Sequence, residues 1–325
     1  MKINLSSFLQ WRFNIYIFEK LGWRITFFYI SILGKLYFFF NRKENWQIKK
    51  AVNTVFEDRK SRFEISSITS NVFKGILSHY YEKLFNAYCN SETLRNFVET
   101  HMESEGMEAI KQGLSRGKGV LLVTGHYGGV ELIPAFLGAN NYQVTIVAKF
   151  KTEDLRNKSI RQAKKFSTKI IDADNTPNIM KAVCKHLKEN RIVITQCDEI
   201  EEWKPGRKDC ISFLGKPVLL DRTIDILAKR CCAAVVFGVM HREYNHRYKF
   251  IATSLEEMAK QSQRSQDISI GALVLQFMEH YIYKYPEGWY QWKKYPVLDI
   301  FEPAGMRLEA PLALPLPEPS FGRVY

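Results

Sequence analysis

From Gly117 onward the chain alternates between two textures, and that alternation limits its fold more than any other feature. Short runs of β-branched and apolar residues recur at Gly119–Thr124, Gln143–Ala148, Lys169–Ile171, Arg191–Gln196, Ala233–Met240 and Tyr248–Thr253. Amphipathic stretches accompany them near Glu153–Phe166, Thr176–Glu189, Asp221–Lys229 and Asp267–Tyr283. Runs without a polar face are covered on both sides, and connections long enough to hold a helix make successive strands parallel. The expectation over residues 51–300 is therefore an α/β domain, a largely parallel central sheet flanked by helices.

The residues before Gly117 have a different character. Apolar residues recur at spacings of three and four (Val52, Val55, Phe56; Val72, Phe73, Ile76, Leu77), and no proline occurs before Pro134, which predicts helices from Ile48 to about Gln112. Residues 1–50 hold nine Lys/Arg against two acids, and 14 of the chain's 44 aromatic residues. Aromatic bodies settle at the acyl boundary of a bilayer, while Lys and Arg meet anionic headgroups. The apolar core of this segment, Ile25 to Phe40, has about sixteen residues interrupted by Lys35, short of the ~20 a spanning helix needs. Asn41-Arg42-Lys43 follows it in place of a small-residue cleavage site, against a secretory signal. The expectation is a helical membrane anchor over residues 1–50, monotopic or, as the alternative, a single span; a buried core helix is the plainer reading. Residues 301–325 carry five of the eleven prolines and form a Pro-rich C-terminal tail.

The whole chain carries 47 Lys+Arg against 34 Asp+Glu, a net charge of +13, which favours an anionic partner. Nucleic acid is a poor fit, since the chain has no helix-turn-helix cue, zinc-finger spacing or RNP-like aromatic motif. A membrane surface suits the charge better. The six cysteines lack CxxC spacing, as befits reduced thiols. His241 and His246 have no third ligand at a convincing spacing and are flanked by Arg242 and Arg247, so no metal is expected.

The stretch richest in chemistry is Gly117–Glu131, GKGVLLVTGHYGGVE. A buried strand ends at Gly125, His126 follows, and Gly128-Gly129 turn the chain into a helix opened by Glu131, with Pro134 tolerated in its first turn. Ligand sites of open α/β sheets collect at the carboxyl ends of the strands. A carboxylate on one imidazole nitrogen would leave the other free to take a proton from a hydroxyl, so His126 is the candidate base and Glu131 its orienter. The amides at Gly128 and Gly129 would be open to a ligand or oxyanion. Such a site suits acyl transfer from a thioester to an alcohol; a structural histidine is the plainer alternative. Asp198 ends another buried run, either beside the site or as a turn cap. Lys149–Lys169 carries eight basic residues against two acids, a surface for phosphates or an acidic carrier protein, or simply a solvated face; Arg161 is its best bidentate candidate and Lys149 its first member. Lys216, in a predicted turn, either faces substrate or serves the turn alone.

These residues resemble the bacterial lipid A biosynthesis late acyltransferases, of the lysophospholipid acyltransferase-like superfamily. The likeness rests on GHYGGVE, on CDE at Cys197–Glu199, on FLGKPV at Phe213–Val218 and on PEGWYQWKKY at Pro286–Tyr295, in that order over roughly Lys111–Tyr295. It implies a glycerol-phosphate acyltransferase-like fold behind a membrane anchor. It also implies transfer of a fatty acyl chain from acyl carrier protein, less often coenzyme A, to a hydroxyl of a glycolipid or phospholipid acceptor at the cytoplasmic face of the inner membrane. The donor enters as a substrate, and no cofactor is implied. Residue by residue, His126 and Glu131 match the catalytic pair, Arg161 an arginine after the second strand, and Asp198 the acid of a DQ-type motif. Glu199 stands where that motif usually has glutamine, and Trp292-Lys293-Lys294 stands where His-Arg-Arg is often found.

Overall fold

A computed structural model of the chain describes residues 8–9, 11–20, 23–150, 152–262 and 268–301. Residues 302–325 of the expected tail, and Lys151 of the basic run, lie outside them. The N-terminal helices are α1 (Arg12–Lys20), α2 (Trp23–Phe40), α3 (Arg42–Phe56), the 27-residue α4 (Arg62–Tyr88) and α5 (Ser91–His101). Helix α4 starts at a reciprocal cap in which the Ser61 hydroxyl accepts from the Glu64 amide while the Glu64 carboxylate accepts from the Ser61 amide.

A strand and helix then alternate: β1 (Met102–Glu105), α6 (Met107–Ser115), β2 (Val120–Thr124), a 3-10 turn at Val130–Leu132, α7 (Ile133–Ala139), β3 (Val144–Ala148), α8 (Glu153–Lys165), β4 (Thr168–Asp172), α9 (Ile179–Lys188) and β5 (Ile192–Gln196). A hairpin of β6 (Pro205–Phe213) and β7 (Lys216–Asp221) leads to α10 (Thr223–Cys231), β8 (Ala234–Arg242), β9 (Tyr248–Ser254), α11 (Leu255–Gln261) and α12 (Ile270–Lys284), and 3-10 turns at Pro286–Gly288 and Trp292–Phe301 close the described chain.

Seven strands make one sheet in the order β1-β9-β8-β2-β5-β3-β4, and every neighbouring pair is parallel except β8 with β9. The expected architecture is thus present, and all six predicted strands appear. Strand β2 lies between β8 and β5 and is buried along its whole length, which is why Val120-Leu121-Leu122-Val123 carries no polar alternation. Strand β1 is an addition. Its sequence, MESE, buries only Met102, and its charged outer residues suit the exposed edge of the sheet.

Helix α2 answers the question raised by Ile25–Phe40 in a specific way. Thr26, Ile30 and Phe38 are buried, with the Phe38 ring 4.8 Å from Phe73 of α4 and Phe27 5.4 Å from Tyr81. Ile25, Phe28, Ile32, Leu36, Phe39 and Phe40 are exposed. At 100° per residue those six fall within an arc of roughly 120°, one continuous stripe. The helix is therefore core on one side and apolar surface on the other. No helix among the described residues is long and apolar enough to cross a membrane.

Candidate functional site

The parallel register of β2 with β5 assembles the site. Thr124 pairs with Gln196, and two residues beyond each partner stand His126 and Asp198. The Cys197 amide donates to the Thr124 carbonyl at 2.8 Å, carrying the ladder one step past the strand ends. The His126 amide then donates to both Asp198 carboxylate oxygens at 3.0 Å, and His126 Nδ1 lies 2.9 Å from Asp198 Oδ1. Trp289 Nε1 donates to Asp198 Oδ2 at 2.7 Å. Asp198 is fully buried, and these donors satisfy a carboxylate that burial alone would make costly. Trp289 is fully buried in the core and is also a direct support of the site.

The other ring nitrogen, His126 Nε2, lies 2.9 Å from Oε1 of Glu199, whose side chain is 38% exposed. Burial opposes charge on the His126 ring, but the Asp198 and Glu199 carboxylates outweigh it and raise the group to about 9. Glu199 shows the converse: burial pushes its carboxyl up, and His126, Lys294 and Lys149 overcome that and hold it near about 2.

The sequence assigns Glu131 to orient His126, and the structure gives that contact to Asp198. With both ring nitrogens engaged by Asp198 and Glu199, the Glu131 carboxylate turns to α4, pairing with Lys83 at 3.3 Å and lying 3.8 Å from His79 Nε2. Glu131 remains a neighbour of the site. His79 stacks on Tyr290 with ring centroids 3.4 Å apart, and the Tyr290 ring meets His126 edge-on at 5.1 Å. His79 and Lys83 carry no signal in the sequence beyond their place on a helix.

Gly128 and Gly129 also differ from expectation. Their amides donate to the carbonyls of Gly288 (2.9 Å) and Met240 (2.8 Å), so neither is open to an oxyanion. What approaches them closely is protein backbone. Gly128 has φ +57°, and a Cβ there would stand 1.8 Å from the Met240 carbonyl oxygen. Gly128→Ala is accordingly expected to destabilise the fold by ~2–4 kcal/mol in denaturant titration, from left-handed strain plus a contact that only backbone movement relieves.

The basic candidates divide. Lys149, at the end of β3, pairs with Glu202 at 2.6 Å and borders the site through its attraction to Glu199. Arg161 is exposed on α8, ~12 Å along the axis from the helix start, and α8 runs from the carboxyl end of β3 back toward the start of β4. Arg161 is therefore set back along the helix from the carboxyl ends of the strands, where His126 stands. Other members of the run are tied locally: Arg156 to Asp172, Lys165 to Ser91 and Lys169 to Glu189. Lys216 pairs with Asp299 and lies over the Tyr295 ring at 4.3 Å, so it fastens the hairpin to the C-terminal turn. In place of Arg161 and Lys216, the structure pairs Lys83, Lys293 and Lys294 with Glu131, Glu44 and Glu201 beside the site.

Among the described residues no group of three or more His, Cys, Asp or Glu side chains is disposed to hold a metal ion. The arrangement is that of a buried acid, a buried imidazole and a partly exposed second carboxylate with lysines around it. A family model described as bacterial lipid A biosynthesis acyltransferase matches residues 5–294. No curated protein matches the chain.

Proposed function

Given that the chain belongs to the bacterial lipid A biosynthesis acyltransferase family, and is an acyltransferase acting on lipid, we propose that it moves a fatty acyl chain from an acyl thioester to a hydroxyl of a glycolipid such as a lipid A precursor, with His126 as the base. Acyl carrier protein is the preferred donor carrier over coenzyme A. The observation that carries this reading is the Asp198–His126 pair at the joined ends of β2 and β5. A buried carboxylate on Nδ1 keeps the proton there and turns Nε2 toward the partly exposed side of the site, where Glu199 stands.

In the proposed step, Nε2 takes the proton of the acceptor hydroxyl while its oxygen attacks the thioester carbonyl. The C–O bond forms, the C–S bond breaks, and the departing thiolate recovers the proton from the ring. The lysines beside the site suit an acceptor or carrier bearing phosphates, and each is already matched to a carboxylate that an incoming anion can replace.

The exposed stripe of α2 supports a monotopic placement at the cytoplasmic face of the inner membrane. Among the described residues six large apolar side chains on one arc are exposed, and Lys35 stands exposed beside them with a stem long enough to reach headgroups. Trp11, Phe13 and Trp46 are exposed as well. This favours a helix lying in the interface over a span.

Mass spectrometry of the producing cell's lipids tests the whole reading. Deleting the gene is expected to remove one acylated glycolipid and to leave its precursor one acyl chain lighter, and restoring the wild type brings the product back. Wild-type membranes that consume no acyl thioester across a panel of chain lengths would mark the protein as a silent scaffold and end the proposal.

A further inference from the structure

His126 is held in a state that a base cannot use. A neutral imidazole has one N–H and one lone pair, whereas an ionised carboxylate offers lone pairs only. Both ring nitrogens of His126 face carboxylate oxygens at 2.9 Å, so both carry hydrogen and the ring is an imidazolium. Of the two carboxylates, Asp198 is fixed: it is fully buried and accepts from Trp289 Nε1 and the His126 amide besides the ring. Glu199 is removable. Its side chain is 38% exposed, it precedes the short turn Ile200–Glu202, and a second cation, Lys294, which also pairs with Glu201 at 2.9 Å, lies 4.0 Å away.

We propose that Glu199 is a positioning residue that occupies the place of the acceptor hydroxyl on His126 Nε2, keeps the base protonated in the free enzyme, and is displaced toward Lys294 when the acceptor arrives. This deepens the acyltransfer reading and rests on it. On displacement, one of the two carboxylates holding the second ring proton is withdrawn, that proton passes to solvent, and the freed lone pair faces the acceptor O–H.

The surrounding charges agree with this reading. His126 is faced by Asp198 and Glu199 from the loop after β5 and by His79 from α4, which burial keeps far below its ordinary value and hence neutral, with the Tyr290 ring at its edge. Glu199 is faced by His126, by Lys294 from the C-terminal turn, by Lys149 from the end of β3, and by Lys83 from α4, on whose charge it acts favourably. The ring is thus raised to about 9 in the free state.

The test is a pH titration of the full chain carrying isotope-labelled histidine, followed by NMR without any substrate. The wild-type His126 resonance is expected to titrate near 9, and in Glu199→Gln, whose amide can donate to a neutral ring, at least about one unit lower. Diethyl pyrocarbonate, which attacks only an unprotonated imidazole, should correspondingly label His126 at pH ~7 about tenfold faster or more in the variant, as read by peptide mass spectrometry. A wild-type value at or below the ordinary ~6.5 overturns the proposal even if the variant cannot be purified, as does an unchanged value in Glu199→Gln. The failure of the underlying reading is separate: it shows as a wild type that transfers no acyl group, whereas an active wild type whose His126 titrates near 6.5 sinks only the role given to Glu199.

Discussion

His126→Ala lowers acyl transfer by on the order of 10³–10⁴ while the variant remains folded, because the substitution removes the imidazole that the β2–β5 register joins to Asp198. Single-turnover consumption of the acyl thioester in the presence of acceptor is the measurement. Two companion variants decide which acid supports the ring. Asp198→Asn offers one acceptor and one donor where three donors now converge, so it mis-sets the tautomer and frees the ring to rotate. A loss approaching that of His126→Ala follows. Glu131→Gln removes a charge that pairs with Lys83 and makes no contact with either ring nitrogen, so its smaller loss should appear in substrate binding more than in turnover. Equal losses from Glu131→Gln and Asp198→Asn would refute the assignment of the orienting role to Asp198.

The contrast between these two acids shows what the sequence can and cannot disclose. Strand β2 is legible because full burial writes itself as an unbroken apolar run, and β1 is not, because a short strand at an exposed edge keeps its charges. His126 and Asp198 are each recognisable as residues at strand ends. That they touch depends on the register of two strands 72 residues apart, which no local pattern carries. Glu131 attracts the orienting role through nearness along the chain. The intervening turn is instead tied to Gly288 and Met240, so its amides and its direction are set by segments more than a hundred residues away. The same holds for Lys83 and His79, which reach the site only because α4 packs across it. The apolar segment Ile25–Phe40 reads more clearly, since a stretch too short to span resolves into a helix buried along one side and exposed along the other.

Glu82→Ala is expected to cost ~3–5 kcal/mol of folding stability in denaturant titration, the cost of leaving a buried charge without its partner. Glu82, on α4, is wholly buried. Arg242 Nε and Nη2 donate to its two oxygens at 2.6 and 2.9 Å, and the Tyr248 hydroxyl donates to Oε1 at 3.0 Å. Burial pushes the Glu82 carboxyl up and the Arg242 guanidinium opposes it, while Arg242 itself stays charged, held up by Glu82. Arg242 Nη2 also donates to the Gly128 carbonyl at 2.6 Å, which makes the pair the brace between α4, the end of β8 and the turn that follows His126. Removing the carboxylate strands a guanidinium in the interior and loosens that turn together with the fold, so acyl transfer should fall along with stability. The double variant Glu82→Leu with Arg242→Met removes both charges and refills most of the space, and should recover the greater part of the loss. Its activity should stay depressed, because the Gly128 carbonyl no longer has a donor to hold it. Stability recovered without activity would separate the two tasks of this pair, of which filling the core is the replaceable one.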